Sequence, residues 1–597
     1  MGPVGVRSAI GAGLLGFVGS LYLALVGLTE RFGDLELIGE QITLGRLLLV
    51  LPPLVTGFVV SRPRVVAGER RVASLGQAAA AGAFAGGVAG AAFGATVAFA
   101  EWFGVDRIRD VFITVSPTLI EFVTFGRGVA VGFVILTVLG LVAGGVGGAL
   151  RAASPRVRRP IVVGASVTIL LGLLQRIIPV AMQQLDLDPS VLYLPAAGLT
   201  VPAAIVVFGL AGGANVLWTR SGPQVRDRFR TTASEQPVLR TALLLVILAL
   251  ASIVPWLVGA VISEVLGTVM VFMLLGLGLN IVVGYAGLLD LGYVAFFAFG
   301  AYALALLTGA TLNTTTGAAE PAFSLDLSFY IAVWIAAVLA AGVGVLIGAP
   351  VLRLRGDYLA IVTLGLGEIV SILTQSRWLQ PVVGGLQGMR GVTDAGIGDI
   401  SFRPPQNFYY LALAFVVLAV VVSWRLSTSR VGRAWNAMRE DEQVADAMGI
   451  STTKYKLLAF AMGGAIGSIG GALFAVKIGS LTPASFQIFV SITALAVVIL
   501  GGLGSIPGVV VGALVLIGLP GLLREFEEYR LLIYGGTLVA IMVLRPQGLI
   551  PNVRRTRELH EEEVEQDAWA ASGAGERTEA YATIVPRDTV DEEERST

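Results

Sequence analysis

The sequence has no cysteine, which excludes disulfides and thiolate chemistry. Its single histidine, His560, lies in a polar stretch near the end, so no imidazole stands among the apolar segments to bind a metal or carry protons. Lysine is nearly absent: Lys454, Lys456 and Lys477 are the whole set, and none follows a glycine. A Walker A loop needs a Gly-Lys pair to hold phosphates, so the chain has no nucleotide site of that kind. If ATP drives what it does, the motor is a separate subunit. Charged residues make up only 14% and sum to a net charge of zero, which gives no electrostatic reason to expect nucleic acid as a partner. No metal-binding or paired-acid constellation stands out, and a membrane-embedded enzyme would be left with Asp, Glu and Ser chemistry alone.

What the sequence has in quantity is apolar length. With 55% hydrophobic residues and a mean hydropathy of +0.82, it reads as an all-α polytopic membrane helical bundle. A bilayer core takes about 20 apolar residues per helix. Apolar spans are expected at 9–28, 42–60, 75–100, 129–150, 161–182 and 191–218, and again at 240–262, 264–285, 286–307, 329–350, 357–375, 408–424, 456–476, 489–506, 508–523 and 531–545, about 16 transmembrane segments in all. Residues 1–28 read as a retained first helix rather than a signal peptide, because no small-residue cleavage site follows. Loops 61–71, 151–160 and 219–240 carry thirteen arginines, whereas 29–41, 101–128 and 183–190 carry four arginines and ten acids. The positive-inside bias then places both termini in the cytoplasm. The expected organisation is a six-span extension over 1–235, a second membrane domain over 236–551 and an acidic, poorly structured tail over 552–597 with a short helix at 556–570.

Glycine, with 76 residues, recurs every fourth position at Gly82, Gly86, Gly90 and Gly94, at Gly140, Gly144 and Gly148, and at Gly463, Gly467 and Gly471. Such ladders put a bare backbone stripe on one helix face, and close packing is the expected use. Residues 284–292, GYAGLLDLG, are the best candidate for a broken or re-entrant segment, with the polar Asn280, Tyr285 and Asp290 in and beside it. Glu368 lies near the middle of the 357–375 span. Asp290 and Glu368 have two readings: contact with a substrate's ammonium group, or a structural role in which each caps a broken helix or pairs with a neighbouring backbone donor.

Between two apolar spans lies a polar island, residues 425–456. Arg425, Arg430, Arg433, Arg439, Lys454 and Lys456 assign it to the cytoplasmic side. Val431, Trp435 and Met438, at i, i+4 and i+7, mark one face of a short amphipathic helix docked on the membrane domain. A solvated loop is the plain alternative.

The segment AMREDEQVADAMGI within this island resembles the EAA-type coupling loop of ABC importer permeases. Residues 279–302, 352–369, 501–516 and 544–550 are similar, in the same order, to stretches of the branched-chain amino acid permease family of LivM type, so the resemblance spans roughly 240–550. It implies a transport subunit without cofactors, coupled to its ATPases through Arg433, Glu440, Asp441, Ala445, Ala447 and Gly449; the translocation path is expected near Asn280, Tyr285, Asp290 and Glu368, where polar groups enter apolar, glycine-punctuated spans. The implied partners are a LivH-like permease, two ABC ATPase subunits, an extracytoplasmic solute-binding protein and a small-molecule substrate. Urea and short-amide permeases resemble the same family, so the solute stays open. A secondary transporter would account for the spans and the intramembrane acids but not for the island. Residues 1–235 have no such resemblance.

Overall fold

The structure, a computed structural model, describes residues 6–522 apart from scattered positions, mostly in loops, and short pieces between 535 and 550. Most of the expected last span at 531–545, and the tail from Asn552 with its expected helix at 556–570, lie outside the described residues. The chain forms two compact units, Met1–Ile253 and Val254–Thr597.

The first unit contains α1 (Val6–Leu25), α2 (Leu44–Val60), α3 (Leu75–Phe103), α4 (Val129–Ala152), α5 (Pro155–Leu173) and α6 (Val201–Glu235). Local chemistry sets the starts: Ser74 and Gln77 form a reciprocal capping box on α3, and Thr43 caps α2 through the Arg46 amide. The glycine ladders lock α3 onto α4. A Cβ at Gly86 would stand 2.8 Å from the Gly144 Cα and closer still to the Gly140 carbonyl, so the two backbones are in direct contact. A short helix, Ile178–Gln184, follows α5 at a 74° bend, so the span expected at 161–182 is a bent pair.

Helix α7 (Pro237–Leu279) carries the chain into the second unit. The stretch expected as two spans, 240–262 and 264–285, holds two helical pieces that meet at a kink where Gly259 leaves helical geometry (φ 73°, ψ −175°). A π turn, Asn280–Tyr285, follows, then non-helical chain to α8 (Val294–Leu307). Fourteen residues extend only about 21 Å, too short for a bilayer crossing, so the span expected at 286–307 is a helix preceded by an unwound segment. The unit continues with α9 (Phe329–Val351), α10 (Asp357–Gln375), α11 (Pro405–Thr428), α12 (Arg430–Glu440), α13 (Glu442–Ala447), α14 (Thr452–Ile478), α15 (Phe489–Gly501) and α16 (Ile506–Ala513), the last running into a second π segment, Leu514–Gly518.

Helix α14 is the axis of this unit. It is buried along most of its length and packs against α8 and α9, with Gly300 of α8 against the Ser468 backbone and Gly471 against the Phe297 carbonyl. It begins at the polar island and ends at a small antiparallel sheet formed by β1 (Thr311–Thr314), β2 (Gly317–Ala319), β3 (Met389–Arg390) and β4 (Ser480–Leu481) in the order β2-β1-β3-β4. Leu312 pairs with Met389 and Met389 with Leu481, all three buried. Island and sheet therefore close opposite ends of the unit. Among the described residues ten helices are long and apolar enough to cross a membrane, eleven with the bent pair counted as one span; three further apolar helices are shorter. The protein is an all-α, multi-pass membrane protein.

Candidate functional site

The polar island folds as two helices rather than one. Ser429 accepts from the amides of Val431 and Gly432 to start α12, and Asp441 accepts from those of Gln443 (2.8 Å) and Val444 (3.0 Å) to start α13. Asp441 is thus an N-cap, which the run of charges from Arg439 to Glu442 did not reveal. Helix α13 ends in a Schellman motif: the Gly449 amide donates to Asp446 and the Ile450 amide to Ala445, with Gly449 at φ +85°.

Three contacts fix these helices to the membrane domain. The expected apolar face is inward, with Trp435 fully buried and Met438 nearly so, and the indole N–H donates to the Tyr455 carbonyl at 2.7 Å. Glu442 pairs with Lys456 at 2.6 Å, the lysine side chain being only 6% exposed. Arg439 reaches across to the π turn, donating to the Gly284 carbonyl at 2.7 Å. Tyr455 and Lys456 belong to the first turns of α14, so α12, α13 and the start of the axial helix are fastened together.

The candidate coupling residues divide by orientation. Arg433, Glu440, Asp441, Ala447 and Gly449 are exposed. Ala445 is not: at 3% exposure it belongs to the hydrophobic core and seats α13, so it offers no surface to a partner. The helical period turns Ala445 inward and brings out instead Val444 (58% exposed) and Met448 (78%), an apolar pair four residues apart that the sequence reading passed over.

Within the bundle, the candidate path residues do not form one site. Asn280 is fully buried and its Oδ1 accepts from the Gly504 amide at 2.8 Å, joining the π turn to the loop between α15 and α16. Tyr285 is buried at the end of the same turn. Asp290, 2% exposed, accepts from the Gly292 amide at 2.9 Å, an Asx turn that shapes the unwound segment. The segment is also held by Thr363, whose hydroxyl donates to the Ala360 carbonyl and accepts from the Leu291 amide at 3.1 Å. The geometry of Asp290 is that of an acceptor for a neighbouring backbone amide, ahead of the α8 N-cap at Tyr293.

Glu368 differs. It is exposed and stands above Ser371 and Gln375 on one face of α10, and with Thr482, Gln487, Leu386 and Ile488 they line a half-open cleft of about 430 Å³. That volume suits a small solute. Ile361, Leu364 and Ile372 on the same helix are also exposed. A carboxylate on a bare apolar helix is costly against lipid, so the Glu368 face is turned toward water or another protein. Gln487 joins Glu368 only in three dimensions; the i, i+3 and i+7 spacing of Glu368, Ser371 and Gln375 along α10 was the one signal available in advance.

The family model described as the branched-chain amino acid transport system / permease component matches residues 261–542. The high-affinity branched-chain amino acid transport system permease protein LivM of Escherichia coli (strain K12) is 39% identical over 356 residues, covering 56% of this chain and 80% of that protein. Its counterpart in Salmonella typhimurium is 40% identical over 332 residues, 52% of this chain and 75% of the relative. The LivH permease protein of Salmonella typhimurium is similar at 26% over 196 residues, 30% of this chain and 63% of its own. No solved structure is significantly similar to the chain. The matched stretch holds the broken helix, the cleft and the fastened island, and with this degree of identity over four-fifths of a relative's length the chain belongs to the branched-chain amino acid permease family of LivM type.

Proposed function

We propose that the chain is the membrane-spanning subunit of an ABC importer for branched-chain amino acids, working beside a LivH-like permease, with two ATPase subunits on the cytoplasmic side and a solute-binding protein on the other. It carries out no covalent chemistry and needs no cofactor; ATP hydrolysis belongs to the partners. Both termini are cytoplasmic in this arrangement. The observation that carries the reading is the island: Val444, Ala447 and Met448 are exposed on a helix fastened by Trp435 and Lys456 to the axial helix of the bundle. An exposed apolar pair on a rigidly held polar island is what a partner's cleft would grip. Arg433, Glu440, Ala447 and Gly449 are the proposed contacts around it. Glu368 is the proposed ammonium contact at the path, and the second permease covers the apolar face of α10.

The test is reconstitution of the complete transporter in vesicles. Uptake of labelled leucine should require ATP, persist when ion gradients are collapsed, and fall strongly in Met448→Glu and Ala447→Arg while both variants stay in the membrane. Uptake that follows an ion gradient without ATP would make the chain a secondary transporter instead. Accumulation of urea or acetamide in preference to leucine would move it to the short-amide permeases.

A further inference from the structure

We propose that Arg439 is a positioning residue that ties the ATPase-facing helices to the interrupted helix, so that displacement of α12 pulls on the π turn and changes access along the path behind it. The proposal rests on the reading of the island as the ATPase contact and adds to it the element by which movement reaches the bundle.

The bonding of the break is the reason. In a continuous α-helix the Gly284 carbonyl would accept from the amide of residue 288. Here the Leu288 amide donates to Val282 and the Ala286 amide to Ile281, so the helical partner of the Gly284 carbonyl has been withdrawn. The Arg439 guanidinium takes that carbonyl at 2.7 Å. The backbone also makes room for the arginine: Gly287 sits at φ +71°, and a Cβ there would stand 2.8 Å from the Arg439 Cγ. Asn280, at the start of the same turn, holds the Gly504 amide, so the π turn is bonded both to the island and to the α15–α16 loop. A π segment is a rare irregularity in a helix, found frequently at functional sites, and Arg439 projects onto it from a body that Trp435 and Glu442 make continuous with α14. A guanidinium can keep several donors on a moving carbonyl, which an amide cannot.

The chain has no cysteine, so one introduced thiol is the only one on this subunit, whose labelling is read separately from its partners'. Leu289→Cys places it on an exposed position of the unwound segment. In the reconstituted transporter, Arg439→Gln should change the rate of labelling at position 289 by a membrane-impermeant maleimide at least about threefold and lower uptake by about tenfold, the scale of one charge-assisted hydrogen bond. Co-purification of the ATPase subunits and their ATP turnover should persist, so that more ATP is hydrolysed per solute moved. Arg439→Lys, which keeps the charge but not the fork, should recover part of both effects and gives the reading if the glutamine variant does not accumulate. Unchanged labelling overturns the proposal, and so does loss of the ATPase subunits together with uptake, since the arginine would then only seat the island. Wild-type uptake that proves independent of ATP would remove the ATPase reading, while the labelling comparison still decides whether Arg439 sets the position of the break.

Discussion

Gly449 holds a backbone conformation, φ +85°, that costs an ordinary L-residue about 1–2 kcal/mol, yet no atom lies within 4 Å of where its side chain would begin. Two effects usually confounded in a glycine substitution therefore separate. Gly449→Ala adds only strain and Gly449→Asn adds little, whereas Gly449→Arg adds strain and a bulky charge on the exposed surface. If a partner's cleft receives this corner, uptake should fall much further in the arginine variant than in the alanine variant; equal uptake in the two would mean that nothing touches the corner. Ala445→Arg cannot serve the same purpose, because it would force a charge into the core. The Glu442–Lys456 pair is also asymmetric. Lys456 is nearly buried and Glu442 is 30% exposed, so Glu442→Gln strands a buried ammonium while Lys456→Met leaves a carboxylate that can reach water. Removing one member of a fully buried pair costs about 3–5 kcal/mol. Thermal melting in detergent should show Glu442→Gln as the more damaging change, by less than that full amount because the pair reaches solvent at one end. The path acids make a third contrast. Asp290→Asn keeps the acceptor that shapes the unwound segment and should leave uptake near wild type, whereas Glu368→Gln removes the only charge among the described residues lining the cleft and should raise the half-saturation concentration about tenfold, a loss of about 1.4 kcal/mol.

At the scale of elements, the question is what holds the island rigid enough to transmit a push. Trp435 is the largest fully buried side chain among the described residues, and its indole bond to Tyr455 links α12 directly to α14. Trp435→Phe retains much of the packing and loses that bond, a net effect of about 1 kcal/mol, and it should weaken uptake more than it lowers the melting temperature. Equal small effects on both would assign Trp435 to packing alone. The amphipathic face that carries Trp435 was legible in the sequence because Val431, Trp435 and Met438 follow the helical period. The break at 284–292 was legible from its glycines and its aspartate, since an apolar run interrupted by such residues cannot continue as a regular helix. The sheet was not: β3 and β4 have two residues each, too few for alternation to show. Nor was the bond from Arg439 to Gly284, which joins positions 155 residues apart through a backbone carbonyl that no side-chain pattern marks. The inward turn of Ala445 was missed for a related reason. In a small-residue segment only six residues long, nothing distinguishes the seated alanine from the exposed Ala447 until the helix has been placed.

At the scale of the whole molecule, the chain is longer than the part that aligns with its relatives, and the physical content of the two parts differs. The first unit is held by direct backbone contact along α3 and α4, where any side chain at Gly86 or Gly144 would collide with the opposite helix. The stretch similar to LivM of Escherichia coli covers 56% of this chain, and the family model starts at residue 261. Every element given a role in transport here lies beyond that point. A chain starting near Pro237 should therefore reach the membrane, assemble with its partners and keep ATP-dependent leucine uptake within about threefold of the full chain, a barrier change below about 1 kcal/mol. Gly144→Val in the full chain, which wedges α4 from α3, is the matching test: it should lower the melting temperature yet leave uptake per assembled complex unchanged. If the shortened chain assembles normally but no longer transports, the first unit takes part in the cycle itself, and the path would have to be sought in both units.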